Sequence, residues 1–354
     1  MQEMHHGVWI LAEQSAGRLQ RISYELLARG RELADKRPCD LTAVVLGPAL
    51  AADELDELLA RGADRVLAVE SPALDHFLVE PHAACLEWLI GLYRPEIFLA
   101  GATSTGRTLM PYVAVRVHTG LTADCTGLDI DPATGNLLQT RPAIGGNIMA
   151  TIQTPNHRPQ MATIRPKSTP VAQRRSTGVP PVSRMGVSPM QETATHRLAA
   201  PAHLLDSRVR RVAFVENTSE HALAEADAVV AVGRGIGRGD HLPLAKKLAD
   251  ALDAALGATR DVVDRGWLSY PHQIGLSGKT VTPKLYVGLG VSGSVQHQAG
   301  MQTAETILAV NRDADAPIFR VADLGIVGNL FDIVPALTEK IAAAKKTAAA
   351  KEQP

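Results

Sequence analysis

The segment from Gly275 to Met301 limits the fold more tightly than any other part of the chain. An apolar run, Leu285 to Leu289, stands in its middle with turn-forming residues on both sides. A short continuous apolar run of this kind reads as a strand buried on both faces of a parallel sheet. Ligands of open α/β sheets sit just beyond the carboxyl ends of such strands. Here that position is Gly290-Val291-Ser292-Gly293-Ser294, followed by a short helix start. Glycines let a backbone approach a ligand closely, and free N–H groups at a helix start favour anionic oxygen. Ser277, Ser292, Ser294, Gln296 and His297 bring polar groups toward one crevice. The segment therefore reads as a cofactor site.

The bulk properties narrow the function. A length of 354 residues favours two domains over one. A net charge of −1 gives no basic field for nucleic acid, and 4% aromatics is too few for a base-stacking surface. Cys39, Cys85 and Cys125 are far apart and show no C-x-x-C spacing, which fits buried thiols in a reducing compartment and no metal site. The start, MQEMHHGVWILAEQ, lacks the basic leader and long apolar core of a signal peptide. No apolar stretch is long enough to span a bilayer, so the expected location is cytoplasmic, without membrane insertion.

The first half alternates strand and helix. Strands are expected at Gly7–Ala12, Leu41–Leu46, Arg65–Val69 and Pro95–Ala100, with helices at Gly17–Lys36, Ala51–Arg61 and His76–Tyr93. This is the pattern of a parallel sheet covered by helices on both faces. Gly101-Ala-Thr-Ser-Thr-Gly-Arg-Thr108 then opens a helix with the glycine spacing of a P-loop. Arg107 stands where the lysine belongs, so the favoured reading is a helix cap whose hydroxyls satisfy free N–H groups. Leu121–Asp131 and Gly145–Ile164 read as further strands.

Lys167 to Ala199 breaks the pattern with Pro, Ser, Thr, Arg and Met, and holds a small echo, Gly178-Val-Pro-Pro-Val182 against Gly186-Val-Ser-Pro-Met190. Such composition cannot repay the entropy of ordering, so residues 167–203 read as a disordered insertion and linker. Its Arg174, Arg175, Arg184 and Arg197 are available to an acidic partner, although a solvated loop is the simpler reading.

The second half repeats the alternation. Strands are expected at Arg210–Glu216 and Ala228–Val232, the second ending in Gly233-Arg-Gly-Ile-Gly-Arg-Gly239. A helix follows with Leu244, Leu248, Leu252 and Leu256 every four residues and Gly257 at its close. A strand, glycine loop and helix in this order is where a dinucleotide pyrophosphate sits, and Arg234 can pair bidentately with phosphate. Ala258-Thr259-Arg260 leads into the next strand. Further strands are expected at Thr306–Val310, ending at Asn311, and at Ile318–Val321. A helix over Asn329–Ala344 closes the domain, and Lys345–Pro354 reads as a frayed tail.

The sequence also carries a family resemblance. Gly275-Leu-Ser-Gly-Lys-Thr-Val-Thr-Pro-Lys-Leu-Tyr286 and Gly290-Val-Ser-Gly-Ser-Val-Gln-His-Gln-Ala-Gly-Met301 match the signature G-x-[ST]-G-K-x-V-x-P-x-L-Y and G-[IV]-S-G-[AS]-[IV]-Q-H-x-A-G-M. The chain thus resembles the electron transfer flavoprotein α subunit over nearly its whole length apart from residues 167–200. Gln139–Thr151 and Arg158–Pro166 resemble that family's first-domain core. Their form, like Gly7–Glu13, is closer to the anaerobic, bifurcating-type subgroup than to the mitochondrial one.

The resemblance implies two doubly wound α/β domains. Residues 1–166 would be adenine nucleotide hydrolase-like, without holding the nucleotide, and would form the subunit interface. Residues 204–344 would be a Rossmann-like FAD-binding domain with a parallel sheet, and residues 345–354 a flexible tail. FAD contacts carry over to Arg234, Thr259, Arg260, Gln273, Ile274, Gly275, Leu276, Ser277, Ser292, Gly293, Ser294, Val295, Gln296, His297, Asn311, Asn329 and Leu330. Ser277 stands where many members have Thr, which keeps the hydroxyl. Asn329 stands where some members have Asp, which weakens the carry-over of that ribose contact.

No residue is expected to do substrate chemistry; the protein tunes the flavin instead. Reduction places negative charge on the N1–C2 carbonyl side of the ring. His297 is expected to gain basicity beside that charge, Arg260 to supply permanent positive charge, and Ser277 to bond the ring N5. The implied function is a carrier paired with a β subunit, taking electrons from acyl-CoA dehydrogenases of β-oxidation type to a quinone oxidoreductase. The alternative is the α subunit of an NADH-dependent bifurcating complex coupled to an acyl-CoA dehydrogenase or reductase and to ferredoxin. A third class, a nucleotide sensor without redox chemistry, would be colourless.

Overall fold

The computed structural model describes residues 5–143, 148–175, 195–213, 223 and 226–351, which divide into two compact units, residues 1–214 and 215–354. The first runs β1 (Val8–Ala12), a small hairpin of β2 (Gln14–Ser15) and β3 (Arg18–Leu19), α1 (Arg21–Lys36), β4 (Leu41–Gly47), α2 (Ala52–Ala60), β5 (Arg65–Glu70), α3 (Val79–Tyr93), β6 (Ile97–Gly101) and α4 (Ser104–Arg116). It continues with β7 (Leu121–Cys125), β8 (Gly127–Ile130), β9 (Leu137–Pro142), β10 (Met149–Ile152), β11 (Gln160–Ile164) and β12 (Thr195–Ala199). A parallel sheet in the order β12-β5-β4-β1-β6-β11-β7 forms its spine, beside an antiparallel sheet β10-β9-β8. Alternation places Val8, Ile10 and Ala12 against one apolar cluster with Leu26 and Leu27 of α1, and Trp9 and Leu11 against another with Leu86 and Leu89 of α3. Both faces of β1 are buried, as its unbroken apolar sequence requires.

Several expectations change here. Residues 121–131 form two strands, interrupted at Thr126, and Asp124 inside the first takes φ 61° where its pairing with β11 shifts register. Within 145–164, the described strands are β10 and β11, separated by a stretch holding Pro155 and Pro159; residues 144–147 lie outside the described residues.

The expected disordered segment is structured at both described ends. Ala172 N–H donates to the Tyr24 carbonyl, and Arg174 pairs with Glu57. Thr195–Ala199 pairs in parallel with β5, and Arg197 reaches Glu70. Arg175 donates to the Gly62 carbonyl. Three of the four arginines thus bind within the first unit; Arg184 and the repeat echo lie outside the described residues. The entropy argument missed this because an edge strand needs little apolar content when a neighbour supplies the ladder. Residues 204–213 also belong to this unit: Leu205 packs on its core, and Ser207 and Arg208 bond Glu80. Arg210–Ala213 forms no strand, and residues 214–216 lie outside the described residues.

The second unit runs β13 (Ala228–Val232), α5 (Leu242–Leu252), β14 (Ala255–Ala258), α6 (Arg260–Asp264), β15 (Leu285–Leu289), α7 (Val295–Gln298), β16 (Thr306–Asn311), β17 (Leu324–Val327) and α8 (Leu330–Lys351). Its sheet is parallel throughout, in the order β14-β13-β15-β16-β17. Both units are thus doubly wound in pattern, as expected. α5 ends at Leu252, where Asp253 turns left-handed, so Leu256 and Gly257 lie in β14, and Thr259 follows a strand where it was expected to precede one. Pro317–Arg320 is a single tight turn, and the strand expected there is Leu324–Val327. The expected frayed tail continues α8 to Lys351, as its alanines and lysines favour.

Val230, Val232, Val287 and Leu289 face α5 and α8. On the other side Val229, Ala231 and Tyr286 face Ile274, Val281, Val291, Met301 and Ile318, which belong to connecting segments. This second face holds the polar loop in place.

Candidate functional site

Strand order reverses between β13 and β15, because β14 lies on the far side of β13. Ligands of open α/β sheets bind at such a reversal, outside the carboxyl ends. Two glycine loops meet there. Gly233 N–H donates to the Leu289 carbonyl at 2.9 Å, and Gly235 N–H to the Gly290 carbonyl at 3.0 Å. Gly290 takes φ 62°, and a Cβ on it would stand 2.7 Å from Gly235 Cα. The expectation that these glycines serve ligand approach is therefore incomplete: here their small size lets one loop lie against the other.

Residues 273–279 form the next layer. Ile274 N–H donates to the Ala258 carbonyl at the end of β14, and Leu276 N–H to the Gln296 carbonyl, both at 2.9 Å. Gly275 at φ 141° permits this approach, since a Cβ would stand 2.8 Å from the Gln296 carbonyl oxygen. Buried Gln273 donates to the Ser277 hydroxyl oxygen at 2.9 Å, and the Tyr270 hydroxyl to the Ser277 carbonyl at 2.7 Å. The Ser277 oxygen accepts in this contact, which leaves its own hydrogen to donate outward from an exposed position.

His297 is buried. Its Nδ1 lies 3.0 Å from the Ile274 carbonyl oxygen and its Nε2 2.7 Å from the Tyr286 hydroxyl. Burial pushes its pKa down to about 4, with the Ile274 hydrogen bond opposing. The expected gain in basicity belongs to a ring facing negative charge on a reduced flavin. The chain itself sets the ring neutral, and both nitrogens already have protein partners.

Arg234, following β13, lies 3.5 Å from Asp261, and Arg260, opening α6, lies 3.2 Å from Asp264; all four side chains are well exposed. Thr259 N–H donates to the Val232 carbonyl, which brings the ends of β13 and β14 together. Asn311 donates to the Val291 carbonyl at 2.9 Å and so braces the loop carrying Ser292, Gly293 and Ser294. The side chains of Ser292, Ser294, Val295 and Gln296 are exposed on and beside α7.

Two expected contacts stand apart. Asn329 spends its amide on the first turn of α8, accepting from Phe331 N–H and donating to Asp332. The Leu330 side chain is in the core beside Val334, so only its backbone is open to a ligand. Sequence reasoning missed Tyr286, Asp261 and Tyr270. The first was visible as the one hydroxyl inside the Leu285–Leu289 run.

The first unit has its own reversal, between β1 and β6. Glu13 fills it: both carboxylate oxygens lie within 2.9 Å of the Thr103 hydroxyl, and Thr103 caps α4 by accepting from Gly106 N–H. The cap reading of Gly101–Thr108 therefore holds. Burial pushes the Glu13 pKa up to about 7 against the Thr103 hydrogen bond.

A flavin dinucleotide fits the residues of the second unit. Arginines and outward hydroxyls border the reversal point, and the polar loop presents a donor at Ser277. Among the described residues no cluster of His, Cys, Asp or Glu suits a metal ion, and no helix is long and apolar enough to cross a membrane.

Comparison with known proteins agrees. Residues 8–190 match the electron transfer flavoprotein domain and residues 222–302 the electron transfer flavoprotein FAD-binding domain. The chain is 44% identical over 335 residues to the electron transfer flavoprotein subunit alpha of Thermoanaerobacterium thermosaccharolyticum, covering 94% of this chain and 97% of that one. It is 42% identical over 341 residues to the subunit alpha of Clostridium acetobutylicum, covering 96% and 98%. It is 39% identical over 363 residues to the acryloyl-CoA reductase electron transfer subunit beta of Anaerotignum propionicum, covering 94% and 95%. With its two parallel-sheet units and a polar crevice at the second reversal point, the chain belongs to the electron transfer flavoprotein α-subunit family.

Proposed function

We propose that this chain binds one FAD at the carboxyl edge of its second sheet and, paired with an electron transfer flavoprotein β subunit, carries electrons from an acyl-CoA dehydrogenase to a quinone-linked acceptor. The observation that carries this reading is the meeting of the Gly233–Gly235 and Gly290 loops at the strand reversal, with Arg234, Arg260 and the 273–279 turn around it. The FAD would supply an isoalloxazine ring able to take up and release electrons.

The chain's own residues would bind and tune it. Arg234, Ser292 and Ser294 supply charge and hydroxyls for the pyrophosphate and ribityl chain. Arg260, with Thr259 before it, brings fixed positive charge toward the ring. Ser277, its oxygen accepting from Gln273, can donate to N5. Gln296 and the main chain of Ile274, Gly275, Leu276, Gly293 and Val295 line the same loop pair. Asn311, and Asn329 with the Leu330 backbone, would serve the ribose and adenine side.

A second reading has an observation in its favour. The relatives include proteins of anaerobic clostridia and one named for acryloyl-CoA reductase. Under it the heterodimer would take electrons from NADH and bifurcate them. Anaerobic addition of NADH to the purified heterodimer separates the two. A plain carrier stays oxidised with NADH and bleaches only with an acyl-CoA dehydrogenase and its substrate; direct bleaching by NADH assigns the bifurcating role. A heterodimer reduced by neither donor contradicts both.

A further inference from the structure

Tyr286 lies within β15 and is wholly buried on the sheet face that packs against Ile274, Val291 and Met301. A phenol hydroxyl in such surroundings needs an acceptor. Among the described residues, its hydrogen-bond partner is Nε2 of His297, 2.7 Å away. The other ring nitrogen, Nδ1, lies 3.0 Å from the Ile274 carbonyl oxygen. A carbonyl only accepts, so Nδ1 carries a hydrogen; a neutral ring then offers a lone pair at Nε2, and Tyr286 donates to it.

This arrangement alone satisfies all three groups. Moving the proton to Nε2 would turn the Nδ1 lone pair on the Ile274 oxygen and leave the phenol hydrogen without an acceptor. Adding a second proton would aim an N–H at the phenol oxygen and orphan the phenol hydrogen again. An unpaired polar group in a buried site costs its full desolvation penalty, so both alternatives are disfavoured. Neither Tyr286 on β15, nor the neighbours of His297 on α7, nor the 273–279 turn places a charged side chain that acts on the ring; burial and the Ile274 carbonyl are the influences upon it.

We infer that Tyr286, together with the Ile274 carbonyl, is a positioning group that holds His297 as a neutral imidazole with its proton on Nδ1, so that fixed positive charge at the flavin site comes from Arg260 and His297 takes up no proton when electrons arrive. The redox part of this inference rests on the FAD reading above. The lock itself concerns the chain alone.

The test uses the full chain co-expressed with its β partner and labelled with 15N-histidine, the His297 ring signals being assigned by their loss in His297→Gln. The wild type is expected to show a neutral Nδ1–H ring, unchanged between about pH 6 and 8. Tyr286→Phe keeps the ring volume and removes the donor to Nε2, so the Nε2 signal is expected to move while the Nδ1 proton stays on the Ile274 carbonyl. In the wild type the first potential of the bound flavin is expected to be independent of pH across that window. A charged or Nε2–H ring in the wild type overturns the inference, as do identical ring signals in the two proteins. Should Tyr286→Phe fail to fold, the wild-type spectrum decides. A preparation without flavin would defeat the FAD reading, while the ring signals would still decide the lock.

Discussion

Burial acts in opposite senses on Glu13 and His297. For Glu13 the folded chain holds the proton more tightly than the unfolded chain, with a pKa raised from 4.5 to about 7. Its contribution to stability is therefore complete below the unfolded value and is lost as pH rises through the folded one. Glu13→Gln should remove that loss, raising stability at about pH 8 by roughly 3 kcal/mol and flattening the profile between about pH 5 and 7. Urea unfolding midpoints measured across this range check it; parallel profiles for wild type and variant would contradict it. For His297 the sign reverses: its contribution is complete above 6.5 and is lost as pH falls toward about 4. The position of His297 was legible in the sequence, since it stands in a Gly- and Ser-rich loop beside Gln296. Its charge was not, because the burial that lowers its pKa is a property of the fold, and its hydrogen-bond partners Tyr286 and Ile274 lie 11 and 23 residues away in the chain.

Among the elements, the paired glycine loops carry the site. Gly290→Ala would put a methyl group 2.7 Å from Gly235 Cα in a residue already at positive φ. A cost on the order of 2–4 kcal/mol is expected, with reduced flavin content, from thermal unfolding and absorbance together. Gly266→Ala is the control: its φ is also positive, at 70°, but a Cβ there meets nothing within 4 Å. It should cost only about 1 kcal/mol and leave flavin content unchanged. Equal losses in the two variants would contradict the packing account. The buried strands β1, β4, β13 and β15 were legible because an unbroken apolar run has few other homes. Of the elements that were hidden, three have a plain physical cause. β12 is polar and lies at a sheet edge, where pairing with β5 replaces apolar burial. β14 begins two residues after the left-handed turn at Asp253 that ends α5, so the leucine repeat ran on into it. β17 was overlooked because the more apolar Ile318–Val321 took its place.

For the whole molecule, both units use the same reversal of strand order and fill it differently. In the first, Glu13 and Thr103 occupy the crevice themselves, which leaves a near-neutral carboxyl where an anionic ligand would otherwise sit. In the second, Arg234, Arg260 and the outward hydroxyls stand at the rim, and the 273–279 turn is bonded to the main chain beside His297. The contrast, with the match of residues 222–302 to the electron transfer flavoprotein FAD-binding domain, supports the proposed place of the cofactor in the second unit. The most direct measurement is the visible absorbance spectrum and flavin count of the chain co-purified with its β partner, repeated after Arg234→Ala. The account predicts FAD in at least one copy per heterodimer, with occupancy lowered by the substitution; a colourless heterodimer, or an occupancy indifferent to Arg234, would contradict it.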